Sequence, residues 1–370
     1  MSIKNIIDRI FENINITTKA GIIVASPSDE PDYKYHWIRD SALVMRPIIH
    51  QYKLTNEAKY FQTILNYLEI ETEIQKLPGI AGLGEPKINI DGSSFTGDWG
   101  RPQNDGPALR GIMLLKIISM FEGKYNTIIN SIIIPILNKD MCYIIENYNK
   151  PSYDLWEENY GWHWYTRMVQ CKFLKECVEH YAYVGDSFDK STIDSVYHIL
   201  LNSLTDHVNG DSIISSFNVE GGIVRYEDAA NILAYSHIDF DQEIMKQFPI
   251  QLLQHTSVNL VDYFRKKYNN PTINLIGRYQ DDQYYNGQIW IICSLALAQY
   301  YVHLFNNNSV DRHYYTLANS IMEKIISLDA NLILPEQFDP NTNEYFSARK
   351  LTWNYSELYE LKINLNNRKC

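Results

Sequence analysis

The 370-residue chain lacks any long hydrophobic run. No stretch approaches the 18 or so uninterrupted apolar residues that crossing a bilayer requires. The first 25 residues mix Lys, Asp and Glu with short Ile pairs, so they lack the apolar region and cleavage site of a secretory signal. We therefore expect no membrane contact and a cytoplasmic location, with secretion as the less favoured alternative.

Basic residues are also few. The chain carries 33 Lys and Arg against 44 Asp and Glu, a formal net charge of −11. An acidic surface repels phosphate backbones, and no basic block or basic-aromatic segment offsets it. We therefore expect no nucleic-acid partner, whereas a neutral ligand fits the charge.

Cysteine is scarce and forms no recognisable pattern. The five cysteines are odd in number, and their spacing matches no zinc or redox motif, which predicts free thiols in a reducing compartment. No Gly-rich phosphate loop, GxSxG elbow or HExxH motif appears either.

The dominant positive signal is helical periodicity. Twelve segments carry apolar residues three or four positions apart. Pro135 should kink or split the fifth segment, and the runs Gly21–Val24 and Asp211–Phe217 could be strands. The helical segments are 3–13, 40–52, 56–76, 107–122, 126–148, 163–182, 187–204, 228–236, 257–267, 286–304, 311–328 and 349–365.

Six long loops rich in Gly, Pro, aromatic and acidic residues recur about every 60 residues. A pair of helices lies between each long loop and the next. The helix pairs could stack as an open solenoid or close into a ring. In either case every second connection returns to the same end, which places all the long loops on one side. Because no linker-like segment divides the chain, we predict one all-α domain that spans residues 1–370. The loops centre near Arg39, Trp99, Glu157, Asp228, Asp281 and Pro340.

Two of these loops carry candidate catalytic acids. Glu157 and Glu158 are adjacent, and two nearby tryptophans could bury them, which would raise their pKa values. Glu336 lies far away in sequence, but a shared rim would bring it into the same cleft. Two opposed carboxylates with stacking aromatics are the equipment of glycoside hydrolysis.

In this order the loops resemble the glucoamylases (glucan 1,4-alpha-glucosidases) of glycoside hydrolase family 15, from about Asp32 to about Tyr355. One such motif would be weak, whereas six in order over 300 residues are highly specific. The matching stretches are Tyr33-x-Tyr35-x-Trp37-x-Arg39-Asp40, Thr96-Gly97-x-Trp99-Gly100-Arg101-Pro102-Gln103, Asp154-Leu155-Trp156-Glu157-Glu158, Arg278-Tyr279, Tyr284-Tyr285-Asn286-Gly287, Trp290, Glu336-Gln337-Phe338-Asp339 and Ser347-Ala348-Arg349-x-Leu351-Thr352-Trp353, with Asp228-Ala229-x-Asn231 as a weaker match.

The resemblance implies an (α/α)6 barrel of six helix pairs with its active-site loops on one rim. It implies an exo-acting, inverting hydrolase that releases β-D-glucose from the non-reducing ends of maltodextrins or starch-like α-1,4-glucans. By motif match, Glu157 is the general acid and Glu336 the general base, with their carboxyl groups roughly 6.5–9.5 Å apart to admit a water. No cofactor or metal is needed.

The resemblance also implies a set of substrate-binding residues. Arg39, Asp40 and Arg278 would hold the hydroxyls of the terminal glucose, and Glu158 would bind the neighbouring sugar. The same matching assigns an aromatic wall and three further substrate contacts: Tyr33, Trp37, Trp99, Trp156, Trp290 and Trp353 for the wall, and Arg101, Tyr284 and Gln337 for the contacts.

The chain departs from the family pattern at two places, of which Asp281, one methylene shorter than Glu, bears on contacts beyond the first sugar. Gln280-Asp281 stands where the family usually has Pro-Glu, and Gln288-Ile289 where it usually has Asn-Pro. The 370 residues carry no starch-binding domain, so we expect soluble maltodextrins or small α-glucosides as substrates.

Other functions remain open at this point. One is a non-catalytic carbohydrate-sensing or regulatory glucoamylase-like domain, although the presence of both Glu157 and Glu336 argues against it. Another is an α-glucosidase for a different small glucoside such as trehalose or isomaltose. A helical scaffold that binds a partner is the third. We expect a monomer or a weak homo-oligomer.

Overall fold

The computed structural model describes residues 2–184, 188–218, 224–307 and 312–367. Within these ranges, twelve helices have nine or more residues. They are α1 (Ile3–Ile14), α2 (Ile38–Thr55), α3 (Ala58–Ile74), α4 (Asp105–Phe121), α5 (Ile134–Asn147), α6 (Trp164–Glu179), α7 (Lys190–Ser203), α8 (Ala229–His237), α9 (Leu253–Lys267), α10 (Ile291–Asn307), α11 (Arg312–Ser327) and α12 (Thr352–Asn366).

Burial sorts these helices into an inner and an outer layer. Helix α4 has 14 of its 17 residues buried, as expected of a helix packed on all sides. Helix α11 buries Ala318, Ile321, Met322 and Ile325, which lie three or four positions apart on one face. Chain order alternates these two kinds of helix, so each outer helix covers an inner one.

The inner helices form a closed ring. Helix α2 packs on α4, α4 on α6, α6 on α8, α8 on α10, α10 on α12, and α12 returns to α2. Each inner helix also packs on an outer partner: α3, α5, α7, α9, α11 and α1, in the same order. The predicted (α/α)6 barrel is thus confirmed, and the ring excludes the open solenoid.

The long loops contain ten short strands within the described residues. They form antiparallel pairings β1–β2, β3–β4–β7, β5–β6 and β8–β9–β10. Several run directly into an inner helix, so the strands gather at the rim where the inner helices begin. They are β1 (Tyr35–Trp37), β2 (Lys87–Asn89), β3 (Ser152–Tyr153), β4 (Tyr160–His163), β5 (Val208–Asn209), β6 (Ser212–Ile213), β7 (Ser216–Asn218), β8 (Ile289–Trp290), β9 (Pro335–Phe338) and β10 (Tyr345–Arg349).

The structure corrects some predicted boundaries. Helix α10 begins at Ile291 rather than 286, because Tyr285 and Gly287 have positive φ and β8 pairs with β9. The run Gly21–Val24 is buried but is not a strand, and the short helix Gln242–Gln247 was not predicted. Strands β6 and most of β7 do lie within Asp211–Phe217.

Pro135 does not split the fifth helical segment, because the backbone stays in the right-handed helical region at Ile133 and Ile134, but an irregular stretch precedes it. A single turn at Asn126–Ile128 and a π-helical stretch at Ile129–Ile133 precede α5, in whose first turn Pro135 lies. The whole run, Asn126–Asn147, has the length and hydropathy of a membrane span, with 44% of the apolar window buried. Here it packs on α4 as an outer barrel helix.

A buried ionic cluster ties the first loop to the barrel wall. Arg110 on α4 pairs with Glu71 at 2.7 Å and with Asp140 at 2.5 Å, and all three side chains are at most 1% exposed. Glu71 also bonds to His36 Nε2 at 3.0 Å, while His36 Nδ1 accepts the Ile23 amide. His36 is therefore a structural residue in β1, and the cluster anchors the strand that carries Trp37.

We predict that Arg110→Met destabilises the fold strongly. The methionine would keep the apolar stem but leave Glu71 and Asp140 buried without a counter-ion, a cost of roughly 3–5 kcal/mol. Chemical denaturation followed by circular dichroism measures the free energy of unfolding. Arg9→Met is the matched control, because Arg9 pairs with partly exposed Glu12 on α1 and should change stability by under about 1 kcal/mol. Equal stability of the two variants would contradict the prediction.

Candidate active site

One cavity of about 670 Å³ opens at the rim where the long loops meet. Among the described residues, all the long loops except the fourth contribute to its lining. Thirteen of the fifteen predicted site residues line this cavity: Glu157, Glu336, Tyr33, Trp37, Arg39, Asp40, Trp99, Trp156, Glu158, Arg278, Tyr284, Trp290 and Trp353.

The other two predicted residues, Arg101 and Gln337, stand behind the lining. Arg101 pairs with Glu85 at 2.9 Å and donates to the Gly97 carbonyl at 3.0 Å, which braces the second loop. Gln337 is fully buried, because side chains alternate along β9 and Glu336 takes the cavity face. Its Oε1 accepts a hydrogen bond from the backbone amide of Gln288 at 3.2 Å.

Glu157 occupies a strained turn in the third loop. Its φ is +66°, in the left-handed region that non-glycine residues seldom adopt. Asp154 holds the turn, since its Oδ1 accepts the amides of Glu158 at 2.8 Å and Asn159 at 3.0 Å. Such strain persists only where the surroundings over-determine it, and it concentrates at functional sites.

Donors from two other loops fix the Glu157 carboxyl group. Trp37 Nε1 at 2.8 Å and Gln103 Nε2 at 2.9 Å donate to Oε1, and Trp99 Nε1 donates to Oε2 at 2.7 Å. Arg39 adds a longer contact to Oε1 at 3.4 Å. The carboxyl group is thus pre-oriented within the cavity before any ligand binds.

Glu336 reaches the cavity from β9, on a different loop. Its side chain accepts a hydrogen bond from Ser347, whose hydroxyl lies 3.2 Å from Tyr284 Oη, and Tyr284 in turn lies 2.9 Å from Tyr33 Oη. Burial raises the pKa of Glu336 to about 7, although the Ser347 hydrogen bond and the Arg278 charge oppose this rise. Glu336 is therefore poised to exchange a proton near neutral pH.

Charged groups cluster on each side of the cavity. Arg39 pairs with Asp105 at 2.8 Å and lies 3.7 Å from Asp40, and burial raises the pKa of Asp40 to about 7 against the pull of Arg39. Arg278, from the fifth loop, forms a two-point contact with Asp282 at 2.7 and 2.8 Å. These neighbours hold both guanidinium groups in fixed orientations.

Aromatic rings complete the wall, and they enclose a lysine that the sequence did not single out. Lys87 Nζ lies 3.1 Å from the Trp99 ring centre and 4.5 Å from that of Trp37, with Tyr35 and Phe95 also close. Burial lowers the pKa of Lys87 to about 8. Lys87 enters the site because β2 pairs with β1, a long-range pairing that no local motif announces.

The two departures from the family pattern have local explanations. Asp281 lies outside the cavity lining, where its amide donates to Tyr263 Oη at 3.1 Å. The Ile289 amide, which a proline would lack, donates to Tyr268 Oη, and that hydroxyl donates to Gln288 Oε1 at 2.6 Å. None of the four residues at these positions lines the cavity.

The fourth loop supports the wall from behind. Asp228 caps α8, because its Oδ1 accepts a hydrogen bond from the backbone amide of Ala230 at 2.7 Å. The same oxygen accepts a hydrogen bond from Trp156 Nε1 at 2.9 Å. Asp228 thus fixes the Trp156 indole without lining the cavity. In the described ranges, no group of three or more His, Cys, Asp or Glu side chains is arranged to hold a metal ion.

A barrel with two carboxyl groups facing one aromatic pocket is the architecture of a glycoside hydrolase, and comparison with known proteins gives the same class. The probable glucoamylase of Schizosaccharomyces pombe is 29% identical over 91% of this chain and 83% of its own length. Glucoamylase-1 of Schizophyllum commune is 34% identical over 76% of this chain, which spans about half of that relative. The Hypocrea jecorina glucoamylase structure superposes with a TM-score of 0.86 at 26% identity, over 99% of this chain and 73% of that one.

The family profile of the glycosyl hydrolases family 15 matches residues 5–310. The chain therefore belongs to this family. The loop motifs indicated a resemblance to the glucoamylases of this family, and the sequence relatives and the structural superposition confirm it.

We predict that Ser347→Ala raises the pKa of Glu336 further. The Ser347 hydroxyl stabilises the ionised carboxylate, so its removal should raise the pKa by about one to two pH units. Carbon-13 NMR titration of glutamate labelled at the carboxyl group, with Glu336 assigned through Glu336→Gln, measures the change. Ser320→Ala, which removes a hydroxyl bonded only locally on α11, should leave the titration unaltered. A pKa that falls or stays constant in Ser347→Ala would contradict the prediction.

Proposed function

We propose that this chain is an exo-acting, inverting α-glucoside hydrolase that releases β-D-glucose from the non-reducing ends of maltodextrins and related α-1,4-glucans. The observation that carries the proposal is the pair of carboxyl groups, Glu157 and Glu336, which reach one cavity from separate loops. The cavity volume suits a small ligand rather than an extended polymer.

In this mechanism Glu157 gives its proton to the glycosidic oxygen as the bond to the anomeric carbon breaks. Glu336 accepts a proton from a water that attacks the anomeric carbon from the opposite face. The leaving chain departs as an alcohol, and the configuration at the anomeric carbon inverts. The donors around Glu157 hold its carboxyl group in one orientation within the cavity.

The remaining lining residues would bind the terminal sugar. Arg39, Asp40 and Arg278 would bond to its hydroxyls, since each is fixed by buried partners and lines the cavity. The indoles of Trp37, Trp156, Trp290 and Trp353 supply apolar faces for the sugar ring.

Removing either carboxyl group should abolish turnover. Glu157→Gln removes the proton donor, and Glu336→Gln removes the proton acceptor, so each should lower kcat on maltotriose by about 10²–10⁴-fold. Glucose release measured with a coupled assay tests this, and calorimetric titration with maltose should show that binding persists. Glu73→Gln, a change at a surface ion pair, is the control and should keep full activity. Full activity in Glu157→Gln would rule out its proposed role.

The anomer released distinguishes inversion from retention. We expect β-D-glucose as the initial product from maltose, maltotriose and isomaltose whenever hydrolysis occurs, because water attacks opposite the leaving group. Proton NMR within the first minutes resolves the two anomeric signals before mutarotation mixes them. Initial α-D-glucose would rule out inversion. Failure to release glucose from any of these sugars, or from trehalose, would favour the sensing role over hydrolysis.

A further inference from the structure

Arg225, in the fourth loop, lies just outside the described lining of the cavity. Its side chain is only 11% exposed, and its guanidinium group contacts acids from two loops. It lies 3.2 Å from Asp228 Oδ2, 3.8 Å from Asp154 Oδ2 and 3.5 Å from Glu158 Oε2. No motif singled out this residue, and the mechanism above does not use it.

The same guanidinium group stacks on a ring from the fifth loop. Its carbon lies 3.5 Å from the centre of the Tyr279 ring, a close cation–π contact. The Tyr279 hydroxyl donates to Glu158 Oε2 at 2.5 Å, so the ring that Arg225 supports also holds Glu158. One planar cation thereby joins the third, fourth and fifth loops.

Three side chains from the fourth and fifth loops contact the Glu158 carboxylate. Arg278 binds its Oε1 at 2.7 Å, while Tyr279 and Arg225 bind its Oε2. Its side chain is 32% exposed, so oxygen lone pairs stay accessible from the cavity. A carboxylate held by three donors from other loops has a fixed direction, which selective recognition of a hydroxyl requires.

We infer that Arg225 is a positioning residue that aims the Glu158 carboxylate at the second sugar of the substrate and thereby sets the preference for a disaccharide or longer chain. The inference rests on the proposed function, because it takes Glu158 as the ligand of that sugar. Arg225 acts through Glu158, Tyr279 and Asp154 and touches no reacting atom. Arg278, assigned to the first sugar, also binds Glu158, but Asp282 holds it independently through two contacts, and Asp105 holds Arg39.

The test compares a substrate that has a second sugar with one that has none. Maltose places a sugar against Glu158, whereas α-D-glucosyl fluoride carries only the first sugar and a fluoride leaving group. Arg225→Met should lower kcat/KM for maltose about tenfold, as expected when a hydrogen bond to a charged group is lost, and should change kcat/KM for the fluoride by less than about twofold. A merely structural role would lower both together.

Two further variants keep the test decisive if Arg225→Met folds poorly. Arg225→Lys keeps the charge but loses the flat stacking surface, so it should restore part of the maltose activity. Tyr279→Phe keeps the ring under Arg225 but removes the hydroxyl on Glu158, and it should reproduce the selective loss on maltose. Arg167→Met is the matched control, because Arg167 is a half-buried arginine that donates to the Ser203 carbonyl between α6 and α7.

Equal losses on both substrates, or no loss on maltose, would overturn the inference while the wild-type activity still upheld hydrolysis. If the wild-type chain cleaved neither substrate, the proposed function would fail, and this inference with it. The selective loss on maltose in Arg225→Met and Tyr279→Phe, with Arg167→Met unchanged, is the result that supports it.

Discussion

Closure of the six inner helices into one ring is the constraint on which the site depends. Because the chain alternates inner and outer helices, every inner helix must start at the same end of the barrel. The long connections therefore converge on one rim, although about 60 residues of sequence separate each from the next. The barrel holds the six long loops at fixed positions, and the first turns of its inner helices add Arg39, Asp40 and Trp353 to the cavity lining.

Convergence brings buried charged groups close to one another, and several of them pair with residues of another segment. Arg39 on α2 is held by Asp105 on α4, and Arg110 joins Glu71 and Asp140 beneath β1. Removing a partner from such a cluster is costly because it leaves a charge without water or counter-ion. The same pairing that keeps these groups buried also fixes their directions, so stability and preorganisation of the site have one origin.

The two carboxyl groups differ in environment for reasons that lie outside their own motifs. Glu157 protrudes on a strained turn, where indole and amide donors from two other loops surround it. Glu336 lies on a regular strand and is 4% exposed, with Ser347 as its donor. Burial raises the pKa of Glu336 to about 7, which places its proton exchange near neutrality. Glu158, next to Glu157 in sequence, contacts a separate set of partners, Arg278 and Tyr279.

The sequence by itself determined the helix pattern, the one-sided arrangement of the loops and the family, because helical periodicity and contiguous motifs are local properties. Tertiary structure alone decided that Lys87 enters the aromatic wall and that Gln337 turns away from it, because strand pairing and strand alternation set those directions. It also decided the role of Arg225, whose partners come from three loops. The role of a single charged residue depends on the groups that folding places around it, and the neighbouring sequence does not reveal which groups those are.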